Sequence, residues 1–212
     1  METSIPILPE DAVYKRSARL LAVRDAVADV FGGNKLNVTD PSDLKEIVKK
    51  IRRAITAVTG AYGIIIGGLA VQELGYLRWT EDVDVVVDAE HFGGVLEYLR
   101  SDGFVLKVDC TLELADTGAK LDLLKEGTVL KDARLPLPHP SELGPNRGFA
   151  TLSAIIRLKL DAHRMKDFAD IVELLKKRLT ETSSIRQTLP EIMREQFDQL
   201  AAEARREAGE SS

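Results

Sequence analysis

Asp82 and Asp84 stand two residues apart in the segment Arg78-Trp79-Thr80-Glu81-Asp82-Val83-Asp84-Val85. On a strand that spacing puts both carboxylates on one face, with α-carbons roughly 6.6 Å apart. Two carboxylates so placed can hold hard divalent cations whose octahedral shell is completed by water and phosphate oxygens. Upstream, Ile65-Ile66-Gly67-Gly68-Leu69-Ala70 is an apolar run closed by two glycines. Such a corner lets the backbone approach a ligand closely, and a helix that starts there offers unpaired N–H groups, which suits a phosphate. Glycine pairs also serve strand-to-helix turns for purely steric reasons. A third acid, Asp122, sits among apolar neighbours in Ala119-Lys120-Leu121-Asp122-Leu123-Leu124, where burying it without a partner is expensive. If its strand lies beside the one carrying Asp84, the strand spacing of roughly 4.8 Å brings it within reach of the same cation. The alternative is an outward-facing Asp122 on an edge strand beside Lys120, with Asp82 and Asp84 capping a strand edge at solvent.

The elements that must position these residues follow from periodicity. Val13, Leu20, Val23, Ala26, Val27 and Val30 recur at helical spacing and predict a helix over about 9–31, stopped by Gly32-Gly33-Asn34. Asp40-Pro41 announces a second helix, a side-chain acceptor followed by a proline whose missing N–H costs nothing at the first position, running to Gly60. Its polar face holds Lys49, Lys50, Arg52 and Arg53, read as a solvated face because no aromatic is interleaved with it. The pattern then changes to a buried strand over 64–66, a short helix over 69–74 ended by Gly75, a strand over 83–87 and a helix over 90–101. After an Asp102-Gly103 turn come strands over 104–108, 112–114 and 120–124. Such alternation is an α/β signature. Prolines at 136, 138, 140 and 145 mark a connection out of this core, beyond which helices are expected over 151–164, 167–178 and 189–206. The expected organisation is N-terminal helices over 1–62, a core over 63–138 and a C-terminal helical region over 139–212.

Composition bounds the chemistry. The 212 residues carry 34 Asp and Glu against 29 Lys and Arg, a net charge of −5, and 44% are hydrophobic, which supports a buried core and disfavours a generic nucleic-acid coat. A single thiol, Cys110, closes no intramolecular disulfide, and the start Met1-Glu2-Thr3-Ser4-Ile5-Pro6 lacks the pattern of a cleaved signal. A cytoplasmic location is expected. Residues 54–72 are uncharged but too rich in Gly and polar groups for a membrane span. His91, His139 and His163 have no Ser or Cys constellation around them, so a hydrolytic triad has no support. Trp79 is read either as a base-stacking residue or as a partly buried anchor.

A strand ending in Gly67-Gly68, a short helix, Arg78-x-Thr80-x-Asp82-x-Asp84 and a later strand Asp122 resemble the nucleotidyltransferase superfamily related to DNA polymerase β. The pattern is closest to the minimal and AbiEii-type abortive-infection enzymes. It covers residues 63–124, and less specifically 158–170, where Lys159 precedes Arg164 and the run Lys166-Asp167-x-x-Asp170. Many relatives have Gly-Ser at the glycine pair, whereas the abortive-infection branch commonly has Gly-Gly. The resemblance implies an α/β (α+β) fold with a mixed sheet, N-terminal helices and a C-terminal helical bundle. It further implies that Gly67, Gly68, Arg78, Thr80 and Lys159 bind the nucleotide, an NTP such as ATP. Asp82, Asp84 and Asp122 would be catalytic and ligate two Mg2+ ions, with Asp122 helping to deprotonate an acceptor hydroxyl and Arg164, Asp167 and Asp170 in support. Read from the residues alone, Arg164 with Asp167 or Asp170 is equally an ordinary ion pair.

The resulting expectation is a magnesium-dependent enzyme that moves a nucleoside monophosphate from an NTP to an acceptor hydroxyl of a small molecule, a tRNA or a protein. The resemblance adds the toxin of a toxin–antitoxin or phage-defence system, with an antitoxin as partner and no membrane. The alternative is the same fold without turnover, a module docking on a protein partner. A manganese-dependent glycosyltransferase using Asp82 and Asp84 ranks behind both, because it leaves the Gly67-Gly68 corner unexplained.

Overall fold

A computed structural model describes residues 41–108 and 110–209. The helix expected over 9–31 and the Asp40 cap lie outside the described residues. The chain forms α1 (Pro41–Ala57), β1 (Gly63–Ile66), α2 (Gly67–Glu73), β2 (Asp82–Val87), α3 (Phe92–Ser101), β3 (Phe104–Leu106), β4 (Thr111–Leu114) and β5 (Lys120–Lys125). There follow α4 (Pro140–Leu143), α5 (Leu152–Ala162), α6 (Met165–Lys176), a 3-10 turn (Leu179–Glu181), α7 (Thr182–Thr188) and α8 (Glu191–Glu207).

The five strands make one mixed sheet in the order β1-β2-β5-β4-β3. β2 and β5 run parallel at its centre, and the other neighbours are antiparallel. Strand alternation divides the sheet between two cores. Val83, Val85, Val87, Leu121 and Leu123 face one side and pack with Ile47, Ile51, Ile55, Val95 and Leu99 of α1 and α3. Ile64, Ile66, Val86 and Leu124 face the other and pack with Ile155, Leu160, Ile171 and Leu174 of α5 and α6, a core that continues to Phe197, Ala201 and Ala204 of α8. Burial of these faces is what holds helices on both sides of the sheet. Among the described residues no helix is long and apolar enough to cross a membrane.

Several elements differ from the sequence expectation. β3 stops at Leu106 because Lys107 N–H bonds Thr111 O, reversing the chain two residues early. α3 begins at Phe92 rather than residue 90, since Asp88 accepts the His91 N–H and holds the preceding residues in a turn. The helix expected over 151–164 ends at Ala162, where His163 adopts the left-handed φ of 53°, and α6 starts directly afterwards. α7 and the 3-10 turn were not expected, because Thr182-Ser183-Ser184 is weak helix-forming sequence. Tertiary burial of Ile185 and Leu189, at 2% exposure each, holds them in place.

Phe197 anchors α8 with 1% of its surface exposed. Phe197→Ala is expected to lower unfolding stability by about 3–5 kcal/mol, the cost of truncating a buried aromatic. Urea denaturation followed by far-ultraviolet circular dichroism measures the loss.

Candidate active site

The parallel pairing of β2 with β5 sets Asp84 opposite Asp122, and the antiparallel pairing of β1 with β2 sets Ile66, the last residue before Gly67, opposite Asp84. Asp82, Asp84 and Asp122 therefore share the sheet face turned toward α5 and α6. Each is half-buried, and one carboxylate oxygen from each lies within 4.8 Å of the others. Thr80 Oγ1 donates to Asp82 Oδ1 at 3.1 Å, and Thr111 Oγ1 donates to Asp122 Oδ1 at 2.6 Å. No described side chain donates a hydrogen bond to Asp84.

The two glycines are required where they stand. Gly67 has φ +65°, and a Cβ there would lie 1.8 Å from Asp84 Oδ2; a Cβ on Gly68 would lie 2.4 Å from Thr80 Oγ1. The first collision is with the acid trio, the second with the residue that orients Asp82. Gly67 lines the neighbouring cleft, whereas Gly68, Arg78 and Thr80 do not.

That cleft, about 400 Å³, runs between the face of the central strands β2 and β5, α5 and the segment 130–137. Asp84, Asp122 and Gly67 form one end; Lys131, Lys159 and Arg164 bring cations; Leu124, Leu130, Leu135, Leu137, Ile155 and Leu158 give an apolar floor. Asp161, buried near the end of α5, accepts the backbone N–H groups of Arg134 and Leu135 at 3.2 Å each and ties the segment down.

A chain of ion pairs backs the cleft. Lys159 Nζ bonds Asp167 Oδ1 at 2.7 Å and Asp170 Oδ2 at 2.5 Å; Arg78 Nη1 bonds the same Asp170 oxygen at 2.6 Å, and Arg164 Nε bonds Asp167 Oδ2 at 2.6 Å. Three cations and two buried anions leave this chain with one net positive charge beside the acid trio. Burial raises the Asp167 pKa, but hydrogen bonds from Arg164 and Lys159 outweigh it and hold the carboxyl below its ordinary value. The Arg164–Asp167 pair, read from sequence as a surface contact or a supporting one, thus joins an exposed arginine to a carboxylate with 1% side-chain exposure.

Asp84 is the electrostatic centre. Its desolvation by the surrounding walls, then the charges of Asp82 and Asp122, push its pKa up to about 7, and Lys159 and Arg78 pull only part of it back. The donors around it are all carboxylate oxygens, with no thiolate or imidazole, and carry more negative charge than the neighbouring cations offset. That set fits Mg2+, a hard ion that prefers a few carboxylates and leaves room for water and phosphate.

The remaining residues that sequence singled out lie elsewhere. Trp79 is half-buried outside the cleft, its indole N–H on Glu81. His91 contacts Asp88, His139 contacts Ser141, and His163 contacts Arg134 and packs edge-on against Phe168. Lys49 and Arg53 pair with Glu46, Lys50 pairs with Asp102, and Arg52 lies over the Phe149 ring. Sequence reasoning missed Thr111, Asp161 and the segment 130–137. Alternation on β4 signals which face Thr111 occupies, but not that β4 lies beside β5.

No protein-family model matches the chain, and no curated protein matches it. Among solved structures, the solution structure of the antibiotic-resistance factor ANT(2'')-Ia is similar at 17% identity and a TM-score of 0.45, over 78% of this chain and 97% of that one. The crystal structure of ANT(2")-Ia with adenylyl-2"-tobramycin is similar at 16% identity and a TM-score of 0.47, over 73% and 96% of the two chains.

An acid whose folded-state pKa lies above its unfolded value of 3.8 adds no penalty while both states are protonated. From about pH 4 to about pH 7 the unfolded chain releases its proton first, so the metal-free protein loses stability as pH rises through that window. Asp84→Asn removes the penalty. The variant is expected to exceed wild type by roughly 1–2 kcal/mol at pH 7.5 in chelator, less than the full pKa displacement would give because water screens a half-buried group. Thermal melts from pH 4 to 8 should show the gap opening as pH rises.

Proposed function

We propose that this chain is a Mg2+-dependent nucleotidyltransferase, transferring a nucleoside monophosphate from an NTP to an acceptor hydroxyl with release of pyrophosphate. The observation that carries the reading is the crowding of Asp82, Asp84 and Asp122, the latter two lining the end of a cleft whose other walls bring Lys159 and Arg164. A docking scaffold has no physical reason to hold three carboxylates together at such electrostatic cost.

Asp82, Asp84 and Asp122 would hold the cations; bound there, magnesium supplies charge neutralisation at the phosphates and lowers the pKa of the acceptor hydroxyl. The chain's own groups do the positioning. Lys159 commits two of its three N–H bonds to Asp167 and Asp170, leaving one for a phosphate oxygen at the cleft wall. Arg164 adds a second cation along the same wall. Gly67, without a side chain, keeps the approach to Asp84 open for the triphosphate. Asp122 Oδ2, the oxygen that Thr111 does not engage, takes the acceptor proton as the acceptor oxygen bonds to the α-phosphorus and the bond to pyrophosphate breaks. The apolar floor of Leu130, Leu135 and Leu158 receives the nucleoside and keeps water from competing with the acceptor.

An abortive-infection assignment, with a toxin role and an antitoxin partner, is supported by the Gly67-Gly68 pattern of the sequence. A cytoplasmic setting, where NTPs and magnesium are abundant, accords with this chemistry.

Incubation with NTPs labelled at the α-phosphate, Mg2+ and panels of aminoglycosides, tRNA and protein acceptors tests the reading. Label transfer is expected from wild type and is expected to fall at least about a hundredfold in Asp84→Asn and Asp122→Asn, a barrier increase of about 3 kcal/mol. Equal transfer by wild type and Asp84→Asn contradicts it.

A further inference from the structure

Four of the carboxylates around the cleft are held in two chemically different ways. Asp167 and Asp170 are buried and held by Lys159, Arg164 and Arg78, so their charge is neutralised by the groups that fix them. Asp82 and Asp122 are fixed instead by threonine hydroxyls. An O–H donor orients a carboxylate without cancelling its charge, which is what a cation ligand needs and what a lysine in the same place would spoil. Thr80 shares its hydroxyl between Asp82 Oδ1 at 3.1 Å and the Asp82 carbonyl at 3.3 Å, so its hold is divided. Thr111 makes one bond, at 2.6 Å, the length of a charge-assisted O–H to carboxylate contact.

The backbone makes that bond persistent. Thr111 on β4 is the direct cross-strand partner of Asp122 on β5, and the Leu123 N–H bonds Cys110 O immediately beside them. The β-branched Thr111 side chain has few χ1 choices and belongs in a strand. It is half-buried, as is Asp122, so neither is locked by core packing. The hydroxyl is then what selects the Asp122 rotamer, engaging Oδ1 and fixing how the carboxylate meets the other two acids.

We propose that Thr111 is a positioning residue that sets the magnesium affinity of the acid trio by fixing the Asp122 carboxylate through its hydroxyl. This rests on the reading of the trio as a cation site, and the test separates the two. Full-length wild type, Thr111→Val, Thr111→Ser and Thr111→Ala are stripped with chelator, dialysed, and titrated with MgCl2 alone while the thermal midpoint is followed.

Removing a residue that orients a metal ligand typically weakens binding by about 10- to 100-fold. Thr111→Val and Thr111→Ala are therefore expected to need at least about tenfold more Mg2+ for half the maximal shift, while Thr111→Ser stays within about threefold of wild type. Melting in chelator shows whether each variant folds, and a purely structural role would lower that melt without moving the Mg2+ midpoint. A wild-type midpoint in Thr111→Val, or equal weakening in Thr111→Val and Thr111→Ser, overturns the role of the hydroxyl while leaving the cation site standing. A wild-type protein that does not respond to Mg2+ overturns the cation site and this role with it.

Discussion

Three carboxylates brought within 4.8 Å of one another repel, and the rest of this structure is arranged around that repulsion. Burial, then the charges of Asp82 and Asp122, raise the Asp84 pKa and favour a proton on the trio when no cation is bound. The fold does not abolish the strain with direct ion pairs. It places the nearest cations one step back: Lys159 and Arg78 act on Asp84 through space while their bonds go to Asp170 and, for Lys159, Asp167. The result is a site held short of neutrality.

The sheet supplies the geometry because two parallel strands and one antiparallel neighbour meet in register at a single point. Ile66, Asp84 and Asp122 are consecutive cross-strand partners over β1, β2 and β5. Gly67 then turns the chain away at a φ that L-residues rarely adopt, with its α-carbon tucked against Asp84. On one sheet face α1 and α3 close one core, and on the other α5 brings Lys159 and α6 the acids that hold it, so the two hydrophobic cores fix both halves of the electrostatic arrangement.

Much of this was legible in the residues. Alternation in Asp82-Val83-Asp84-Val85 placed both acids on one face, and the bounded run before Gly67-Gly68 marked a buried strand and a tight corner. The convergence of Asp122 was legible only as a condition, because β5 pairs with β2 across the intervening α3, β3 and β4, and nothing local in residues 119–124 states which strand will lie beside them. The reason for the glycines was also hidden: a ligand-binding corner and a steric one have the same sequence, and here the contacts that exclude side chains are with Asp84 at Gly67 and with Thr80 at Gly68. The pairing of Lys159 with Asp167 and Asp170 depends on the break at His163, whose left-handed backbone brings α6 back against α5. Helical periodicity treats the two helices separately and carries no information about their crossing. The α7 helix was missed because its stability comes from burial rather than propensity.

The central claim is that this repulsion is relieved by cation binding, and proton release measures it most directly. Calorimetric titration of the chelator-stripped protein with MgCl2 at pH 6.5, in buffers of different ionisation enthalpy, counts protons displaced per binding event. Binding accompanied by release of a substantial fraction of one proton, fading by pH 8.5 as Asp84 ionises on its own, is the predicted result. Absence of Mg2+ binding, or binding with no proton released at pH 6.5, would contradict the account.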